Sequence, residues 1–238
     1  MDTAYATAYA ELYRNHWWWR TREAILLRRL AELIDSGRRA RILDVGCGAG
    51  LFFDALTRFG HVEGIESDAV LVGQSGRWRN QILIGELDDS FCPDEPFDTI
   101  LMLDVLEHVP NPEQMLDAAR RVLSPCGRLV ITVPAFDCLW TSHDDLNHHL
   151  RRYTADTLRH TIREAGLVTE SISYLFQSLV IPKLLVRALE AVKGGTPRLP
   201  RVPSATVNGL LRNWFQAEST VSRWLPFGTS LIAVVRLP

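Results

Sequence analysis

The chain has 238 residues, of which 47% are hydrophobic, and a formal net charge of −2. This length and composition predict a single α/β domain over residues 1–238 with its own hydrophobic core. The small net charge gives no basic footprint, so nucleic acid is not expected as a partner.

The four cysteines are widely scattered, at Cys47, Cys92, Cys126 and Cys138. They show neither metal-ligand spacing nor the density of a disulfide scaffold, so a reducing cytoplasm is the expected setting and no metal site is predicted. The polar, aromatic N-terminus lacks the apolar core of a signal peptide. No apolar run approaches the roughly 18 residues of a membrane-spanning helix.

The first two thirds of the chain alternate between helix and strand signals. A helix is predicted over residues 5–34, since apolar positions recur there at helical spacing before Ser36 and Gly37 end the run. The next segments predict strands at 42–45, 62–66, 81–84, 99–103 and 128–133, and helices at 51–59, 68–75 and 112–123. This alternation indicates βαβ units and a doubly wound parallel sheet, with a ligand crevice at the carboxyl ends of the strands.

Beyond Pro134 the pattern changes. Residues 135–150 are expected to form a loop rich in His, Asp and Asn. The elements predicted after it are a helix at 154–165, a strand at 168–176, helices at 179–192 and 206–225, and a strand at 230–235. We interpret the two consecutive helices as an insertion, because the final strand must return to the sheet.

The stretch "RILDVGCGAG" places Gly46, Gly48 and Gly50 directly after a predicted buried strand. Such a turn brings backbone N–H groups close to an anionic ligand. Asp44 precedes it and is a candidate acceptor for a cationic ammonium group, while Glu66 ends the second strand, where a carboxylate can bind a ribose diol. Their neighbours Cys47 and Ser67 belong to the same candidate set. The alternative is a simple strand–turn–helix with a chance acid.

Three further positions follow the third and fourth strands. Glu86 is a candidate acceptor for an exocyclic amine, with an exposed loop acid as the alternative. The N–H of Leu87 is a candidate donor to a ring nitrogen. Asp104 lies where the fourth strand reaches the crevice. His108 either contacts substrate or caps the following turn.

These motifs, in this order, resemble class I S-adenosylmethionine-dependent methyltransferases. The resemblance rests on "ILDVGCGAG", the acid at Glu66, "GELDD", "FDTILMLDVLEHV" and "RRVLSPCGRLVITVP". It implies a Rossmann-like seven-stranded sheet whose last strand is antiparallel, with S-adenosylmethionine over the glycine turn. It assigns Glu66 to the ribose hydroxyls and the Glu86–Leu87 pair to the adenine.

The ends of the chain resemble a narrower group of bacterial small-molecule methyltransferases, similar to quinone-biosynthesis and polysaccharide-cluster enzymes. The matching segments are "HWWWRTR" and "WTSHDDLNHHLRRYT". They imply a helical lid over residues 1–37 and a cofactor-binding core over residues 38–135. The lid and the loop after strand five together cover the site, and residues 136–238 form the substrate side. Arg22 is the candidate partner of the methionine carboxylate or a surface charge, and Trp18 lines the site or packs.

The histidine-rich loop supplies the candidate proton acceptor. His149 is preferred over His143 because it lies in the H-x-R-R-Y match before a helix, with Asp144 as the orienting carboxylate. Solvated loop histidines are one alternative, and a metal set of His143, Asp144 and His149 is another. Arg152 and Tyr153 are assigned to substrate, although Arg151 and Arg152 fit a helix-capping role equally well.

The predicted reaction is methyl transfer from S-adenosylmethionine to a small-molecule acceptor, with oxygen favoured over nitrogen or carbon because of the histidines. A non-catalytic S-adenosylmethionine-binding protein and a nicotinamide-dependent oxidoreductase are the alternatives. In the insertion, Lys183, Arg187 and Glu190 share one helix face. The apolar remainder is expected to pack on the second insertion helix; contact with a lipid-like substrate or a membrane surface is the alternative.

Overall fold

The computed structural model describes residues 3–35, 37–195, 200–221 and 224–238. These residues form a seven-stranded sheet in the order β3-β2-β1-β4-β5-β7-β6. The strands are β1 (Ala40–Val45), β2 (Gly60–Glu66), β3 (Ile82–Ile84), β4 (Phe97–Leu103), β5 (Leu123–Pro134), β6 (Val168–Leu175) and β7 (Ser230–Arg236). Strands β1 to β5 pair in parallel, whereas β7 runs antiparallel between β5 and β6. The predicted doubly wound sheet with an antiparallel last strand is confirmed.

Helices cover both faces of the sheet. They are α1 (Thr3–Asn15), α2 (Trp17–Leu33), α3 (Phe53–Leu56), α4 (Ala69–Gly73), α5 (Pro112–Val122), α6 (Ser142–Leu146), α7 (Ala155–Glu164), α8 (Val180–Lys193) and α9 (Ala205–Val221). One core cluster joins α5 and α7 to one sheet face, and a second joins α2, α3 and α9 to the other. Successive β1 residues alternate between them, since Ile42 belongs to the second cluster and Leu43 to the first.

The strand order sets the position of the ligand crevice. The chain runs outward from β1 to β3 and then crosses back to place β4 on the other side of β1. The connections that leave the carboxyl ends of β1 and β4 therefore diverge, and a crevice opens between them.

The predicted helix over residues 5–34 is two helices. His16 has an extended backbone (φ −80°, ψ 134°), and its Nδ1 accepts a hydrogen bond from the Trp18 N–H at 3.2 Å, which caps α2. The Trp17 N–H is bound by the Asn208 side chain at 2.7 Å, and its indole stacks on Phe215 of α9 at 4.8 Å. This capping and packing end α1 at a point where helical periodicity continues in the sequence.

Several other boundaries differ from the predictions. The helix expected over 51–59 is only α3, and the helix expected over 68–75 is shortened to α4 by the Asp68 cap. The expected loop over 135–150 contains a 3₁₀ turn and α6, which begins with a Thr141–Asp144 capping box. Helix α9 is described as far as Val221, and Trp224 and Leu225, which the predicted helix includes, are not helical. Ser36, residues 196–199 of the insertion link and residues 222–223 lie outside the described part of the chain.

The insertion helices are attached to different parts of the domain. Helix α9 packs on α2 through the buried Phe215. Helix α8 has no buried residue and lies against two 3₁₀ turns, Asp137–Leu139 in the histidine-rich region and Gln177–Leu179 directly before α8. The expected packing of the apolar α8 face is therefore wrong. Among the described helices, none combines the length and apolar content needed to cross a bilayer.

Candidate active site

The glycine turn lies at the carboxyl end of β1 and has a left-handed backbone. Gly46 has φ 69°, and a Cβ there would lie 2.8 Å from a methyl group of Val105. Gly48 has φ 57°, but a Cβ there would meet nothing within 4 Å. The space over Gly48 is therefore open to a ligand that needs close approach to the backbone.

Glu66 is fixed beside this turn. Its carboxylate accepts hydrogen bonds from the Gly48 N–H at 2.8 Å and from the Asp68 N–H at 2.9 Å. Each oxygen takes one of these bonds, so each keeps a lone pair for a further donor. The two bonds hold a nearly buried acid (9% exposed) at the end of β2, facing the turn.

A cavity adjoins the turn on the side of the N-terminal helices. Its wall consists of Tyr9, Tyr13, Trp19, Arg22, Glu23, Leu26, Asp44, Gly46, Cys47, Leu51, Phe52 and Leu103. The predicted positions Arg22, Asp44, Gly46 and Cys47 thus share one wall. Tyr9 and Tyr13 were not predicted as site residues, because only the fold brings α1 over the turn.

Asp44 and Arg22 carry the charge of this cavity. Asp44 is 4% exposed, and burial raises the pKa of its carboxyl to about 7, although the Arg22 charge opposes that rise. Arg22 bonds the Asp104 carboxylate at 2.8 Å and Thr132 Oγ1 at 2.5 Å. Its guanidinium also lies 5.4 Å from the Trp18 ring centre, so Trp18 touches the site through Arg22.

The predicted adenine-side residues follow β2 and β3. Glu86 and Ser67 are exposed, whereas the Leu87 side chain is buried in the core. They lie at the carboxyl ends of adjacent strands, at the same sheet edge as Glu66. No contact among them distinguishes a role, so their assignment stays a prediction.

A second polar cluster is centred on Asp144 in α6. Its Oδ1 accepts hydrogen bonds from His149 Nδ1 at 2.9 Å and Arg152 Nε at 2.8 Å, and its Oδ2 accepts from the Thr141 N–H at 2.9 Å. Lys183 Nζ of α8 lies 3.9 Å from Oδ2. Burial raises the pKa of Asp144, but the His149 hydrogen bond and the Lys183 and Arg152 charges outweigh it and hold the pKa well below its ordinary value.

The structure brings Asp144 and His149 together, and Arg152, which was assigned to substrate, is instead buried and bonds Asp144 and the Ala135 carbonyl. Tyr153 is also buried, with its hydroxyl donating to the Leu106 carbonyl at 3.3 Å. His143 contacts Asn147, and burial lowers its pKa to about 4, so it is neutral at physiological pH.

Glu107 lies between the cavity beside the glycine turn and the polar cluster centred on Asp144, and it was not predicted as a site residue. Its side chain is fully buried, and neither carboxylate oxygen has a hydrogen-bond partner. Burial and the negative charge of Asp104 raise its pKa well above the ordinary range. The signal available in the sequence was an acid next to the apolar pair Val105 and Leu106 in "DVLEHV", directly after β4.

His108 and His149 complete this junction. Their rings meet edge to face at 4.9 Å, and one ligand atom each from Glu107, His108 and His149 lies within 4.8 Å of the others. Burial and the neighbouring His149 lower the pKa of His108. The predicted alternative metal set of His143, Asp144 and His149 differs from this group, because Asp144 already binds Arg152 and Thr141.

The cavity residues fit S-adenosylmethionine. The left-handed Gly48 leaves room against the backbone, Glu66 retains acceptor capacity, and Asp44 is a buried acid that a cation would stabilise. Arg22 supplies a guanidinium for a carboxylate once it exchanges its bond with Asp104. The donor and acceptor set therefore matches an amino-acid-bearing nucleoside.

The sheet order and this turn define a class I S-adenosylmethionine-dependent methyltransferase. A family model described as a methyltransferase domain matches residues 18–172. The chain belongs to this methyltransferase family, and it is an enzyme.

Similar proteins agree with this class. Ubiquinone biosynthesis O-methyltransferase of Xylella fastidiosa (strain 9a5c) is 38% identical over 101 residues, which are 39% of this chain and 41% of the relative. The protein of the same name in Alkalilimnicola ehrlichii is 38% identical over 115 residues, 43% of this chain and 45% of the relative. The matched region thus spans less than half the length of these curated relatives.

Solved structures share the fold. A SAM-dependent methyltransferase from Archaeoglobus fulgidus superposes with a TM-score of 0.63 at 16% identity, over 98% of this chain and 99% of that one. A TehB-like SAM-dependent methyltransferase from Corynebacterium glutamicum gives 0.58 at 19% identity, over the whole of both chains. At these identities the likeness establishes the fold alone.

Proposed function

We propose that this enzyme methylates an oxygen atom of a small-molecule acceptor, with His149 as the general base and Asp144 as its orienting carboxylate. The observation that carries the proposal is the 2.9 Å bond between His149 Nδ1 and the carboxylate of Asp144. This carboxylate is fully buried and is also held by Thr141, Arg152 and Lys183. A histidine held in this way beside the cofactor crevice is arranged to accept a proton.

S-adenosylmethionine, when bound, supplies an electrophilic methyl group on a sulfonium. The Gly46–Gly50 turn and Glu66 would hold its nucleoside end, while Asp44 and Arg22 would bind its ammonium and carboxylate. Asp104 is the present partner of Arg22 at 2.8 Å and would release it to the ligand. Glu86, Leu87 and Ser67 would lie along the adenine, as the resemblance implies.

The residues on the acceptor side move one proton. The ionised Asp144 accepts from Nδ1 of His149, which fixes that ring proton and leaves Nε2 with a free lone pair. An acceptor hydroxyl next to Nε2 would transfer its proton there as its oxygen bonds to the methyl carbon. The bond between that carbon and the sulfonium sulfur would break, and the sulfur would leave as a neutral thioether. Asp144 stabilises the resulting imidazolium, and the buried Arg152 keeps Asp144 ionised in place. We therefore assign Arg152 a positioning role instead of a substrate contact.

The acceptor is proposed to be a phenol or quinol. Two observations support this class: the curated relatives are named ubiquinone biosynthesis O-methyltransferases, and a weakly acidic hydroxyl suits a histidine base. The relatives match over less than half their length, so the particular acceptor is tested with a panel of catechols, quinols and simple phenols.

The first prediction tests the base. His149→Ala should lower turnover of a non-ionised acceptor by about 10²–10⁴-fold, the usual contribution of a general base, with S-adenosylmethionine affinity unchanged by calorimetry. The exposed neighbour His148 has φ 57°, which asparagine tolerates, so His148→Asn is the matched control and should retain activity. Near-full turnover by His149→Ala would refute the assignment.

A divalent cation held by Glu107, His108 and His149 is the second candidate for lowering the acceptor pKa, since their ligand atoms are close enough. Dialysis against a chelator distinguishes the general-base mechanism from the mechanism that uses a divalent cation. Unchanged activity after chelation supports the base mechanism, whereas activity lost and then restored by added Mg²⁺ or Zn²⁺ would replace it.

A further inference from the structure

Helix α8 is amphipathic but is oriented with its apolar face outward. Its apolar side chains Ile181, Leu185, Leu189 and Val192 recur at spacings of four and three, and each is 57–84% exposed. The helix has no buried residue over its 14 positions. A helix of a globular domain ordinarily buries such a stripe, so this surface is built for contact with something outside the chain.

The opposite, polar face of α8 is bound to the histidine-rich segment of residues 135–150. Lys183 Nζ lies 3.9 Å from Asp144 Oδ2, Arg187 donates to the Asp137 carbonyl at 2.8 Å, and Glu190 accepts from the Ser142 hydroxyl at 2.6 Å. These are the three polar side chains that share one face of the helix. Their contacts fix the orientation of α8, so the exposure of its apolar stripe follows from specific bonds.

The exposed apolar surface continues beyond α8. The indole N–H of Trp214 in α9 donates to Ser178 Oγ at 3.2 Å, which places this ring near the start of α8. We call the exposed apolar stripe of α8 together with this ring the insertion surface: Ile181, Leu185, Leu189, Val192 and Trp214. Bulky aliphatic residues with tryptophan form the composition that enters a membrane interface.

Charge is segregated toward the same region. Residues 179–228 contain seven Lys and Arg against two Glu, a formal charge of +5 in a chain whose total is −2. Both acids are hydrogen-bonded to serines, Glu190 to Ser142 and Glu218 to Ser178. Lys193, Arg201 and Arg212 are exposed. The insertion therefore presents cations to its surroundings and directs its acids inward.

We propose that the insertion surface docks on an anionic phospholipid bilayer, with α8 lying in the plane of the interface. Apolar side chains enter the acyl boundary, while Lys193, Arg201 and Arg212 meet lipid phosphates. A second copy of the chain is disfavoured as the occupant, because two surfaces of the same positive sign would face each other. Docking would bring the loop that carries His149 and Asp144 next to the bilayer through the bonds of Lys183 and Glu190.

Vesicle flotation of the full chain tests this proposal without any assay of activity, so it stands or falls independently of the methylated acceptor. Partition into vesicles of equal parts phosphatidylcholine and phosphatidylglycerol should exceed partition into pure phosphatidylcholine by at least about tenfold at low salt, since each cation near the surface contributes about 1 kcal/mol, or about fivefold. Arg212→Gln should weaken binding by about fivefold.

Leu185→Glu is the decisive variant, and Leu83→Glu is its matched control. The two leucines are 60% and 52% exposed, but Leu83 lies on the edge strand β3, away from the insertion. Leu185→Glu should weaken partition about tenfold or more, the effect of losing one buried leucine, while Leu83→Glu should not change it. Unchanged S-adenosylmethionine binding by both variants shows that the fold is intact.

Three results would overturn the proposal. The first is no binding of the wild-type chain to the anionic vesicles, and the second is equal binding to both vesicle types. The third is a wild-type dimer in sedimentation that Leu185→Glu converts to monomer with no vesicle binding, which would make the surface an interface between copies.

Discussion

Two buried aspartates on opposite sides of the crevice behave in opposite ways. Asp44 at the end of β1 is 4% exposed, and burial raises its pKa to about 7. Asp144 in α6 is 0% exposed, yet its pKa is held well below the ordinary value by His149, Lys183 and Arg152. The two aspartates are buried to nearly the same degree, so the opposite shifts of their pKa values come from their different partners.

The difference corresponds to the two proposed roles. Asp144 has donors within the protein on both oxygens, so its charge is compensated before any ligand arrives. Asp44 borders the open cavity and has Arg22 as its opposing charge, but Arg22 is bonded to Asp104. Asp44 would therefore gain a full counter-charge when a cationic ligand binds, whereas Asp144 is a fixed part of the polar cluster around His149 and Arg152.

The largest effect is expected at Asp144. Asp144→Ala leaves the buried Arg152 without its bonded carboxylate and Lys183 with Glu190 alone as a counter-charge, so the free energy of unfolding should fall by about 3–5 kcal/mol in urea denaturation. The exposed loop residue Asp94 gives the control, because Asp94→Ala should change that free energy by less than about 0.5 kcal/mol. A small effect of Asp144→Ala would mean that the cluster does not compensate its own charges.

Asp44 should respond in the opposite sense. Its folded-state pKa of about 7 exceeds the ordinary 3.8, so between these values the folded protein holds a proton that the unfolded chain has released. Stability from this group therefore falls as the pH rises from 3.8 to 7, and Asp44→Asn removes the fall.

The measurement compares the unfolding free energy of Asp44→Asn with that of the wild type across pH. The variant should be more stable by about 2–4 kcal/mol near pH 8 and equal near the acid end of the window. Its affinity for S-adenosylmethionine should drop, because the ammonium contact is lost. A constant difference at every pH would contradict the raised pKa.

The cofactor side of the molecule could be predicted from the sequence because its residues are close together in the chain. Asp44, Gly46 and Gly48 lie within one strand and turn, and Glu66 follows at the end of the next strand. The parallel order of β1 and β2 is then enough to bring these residues together. The spacing of the glycines by itself indicates a turn with a left-handed backbone. The parallel part of the sheet follows from the same local alternation, whereas the count of seven strands and the antiparallel last strand were implied by the family resemblance.

The acceptor side depended on contacts that no local pattern records. Amphipathic spacing predicted α8, but not that Lys183 and Glu190 would turn its polar face inward onto Asp144 and Ser142. Nothing in the sequence indicated that Glu107, in the turn after β4, lacks a hydrogen-bond partner for its carboxyl group, because that is a property of the packed site. Hydrophobic periodicity likewise did not predict the break between α1 and α2 at His16, because the break depends on the His16 side chain capping α2.

The smallest effect is expected at Lys183, where burial and charge pairing oppose each other. Burial and the Arg152 charge lower its pKa to about 8, although Asp144 and Glu190 favour the charged form. The folded-state pKa lies below the ordinary 10.5, so between these values the unfolded chain holds a proton that the folded protein has released. Stability from this group therefore rises with pH across that window and is lowest below pH 8.

Lys183→Met retains the aliphatic stem and removes the charge. It should raise the free energy of unfolding by about 1–2 kcal/mol at neutral pH, a value reduced because the side chain is 24% exposed, and the gain should vanish above pH 10.5. Urea denaturation at neutral and alkaline pH measures both. A loss of stability at neutral pH would show that the Lys183–Asp144 attraction at 3.9 Å exceeds the cost of burying the ammonium, so that charge pairing governs the whole acceptor-side cluster.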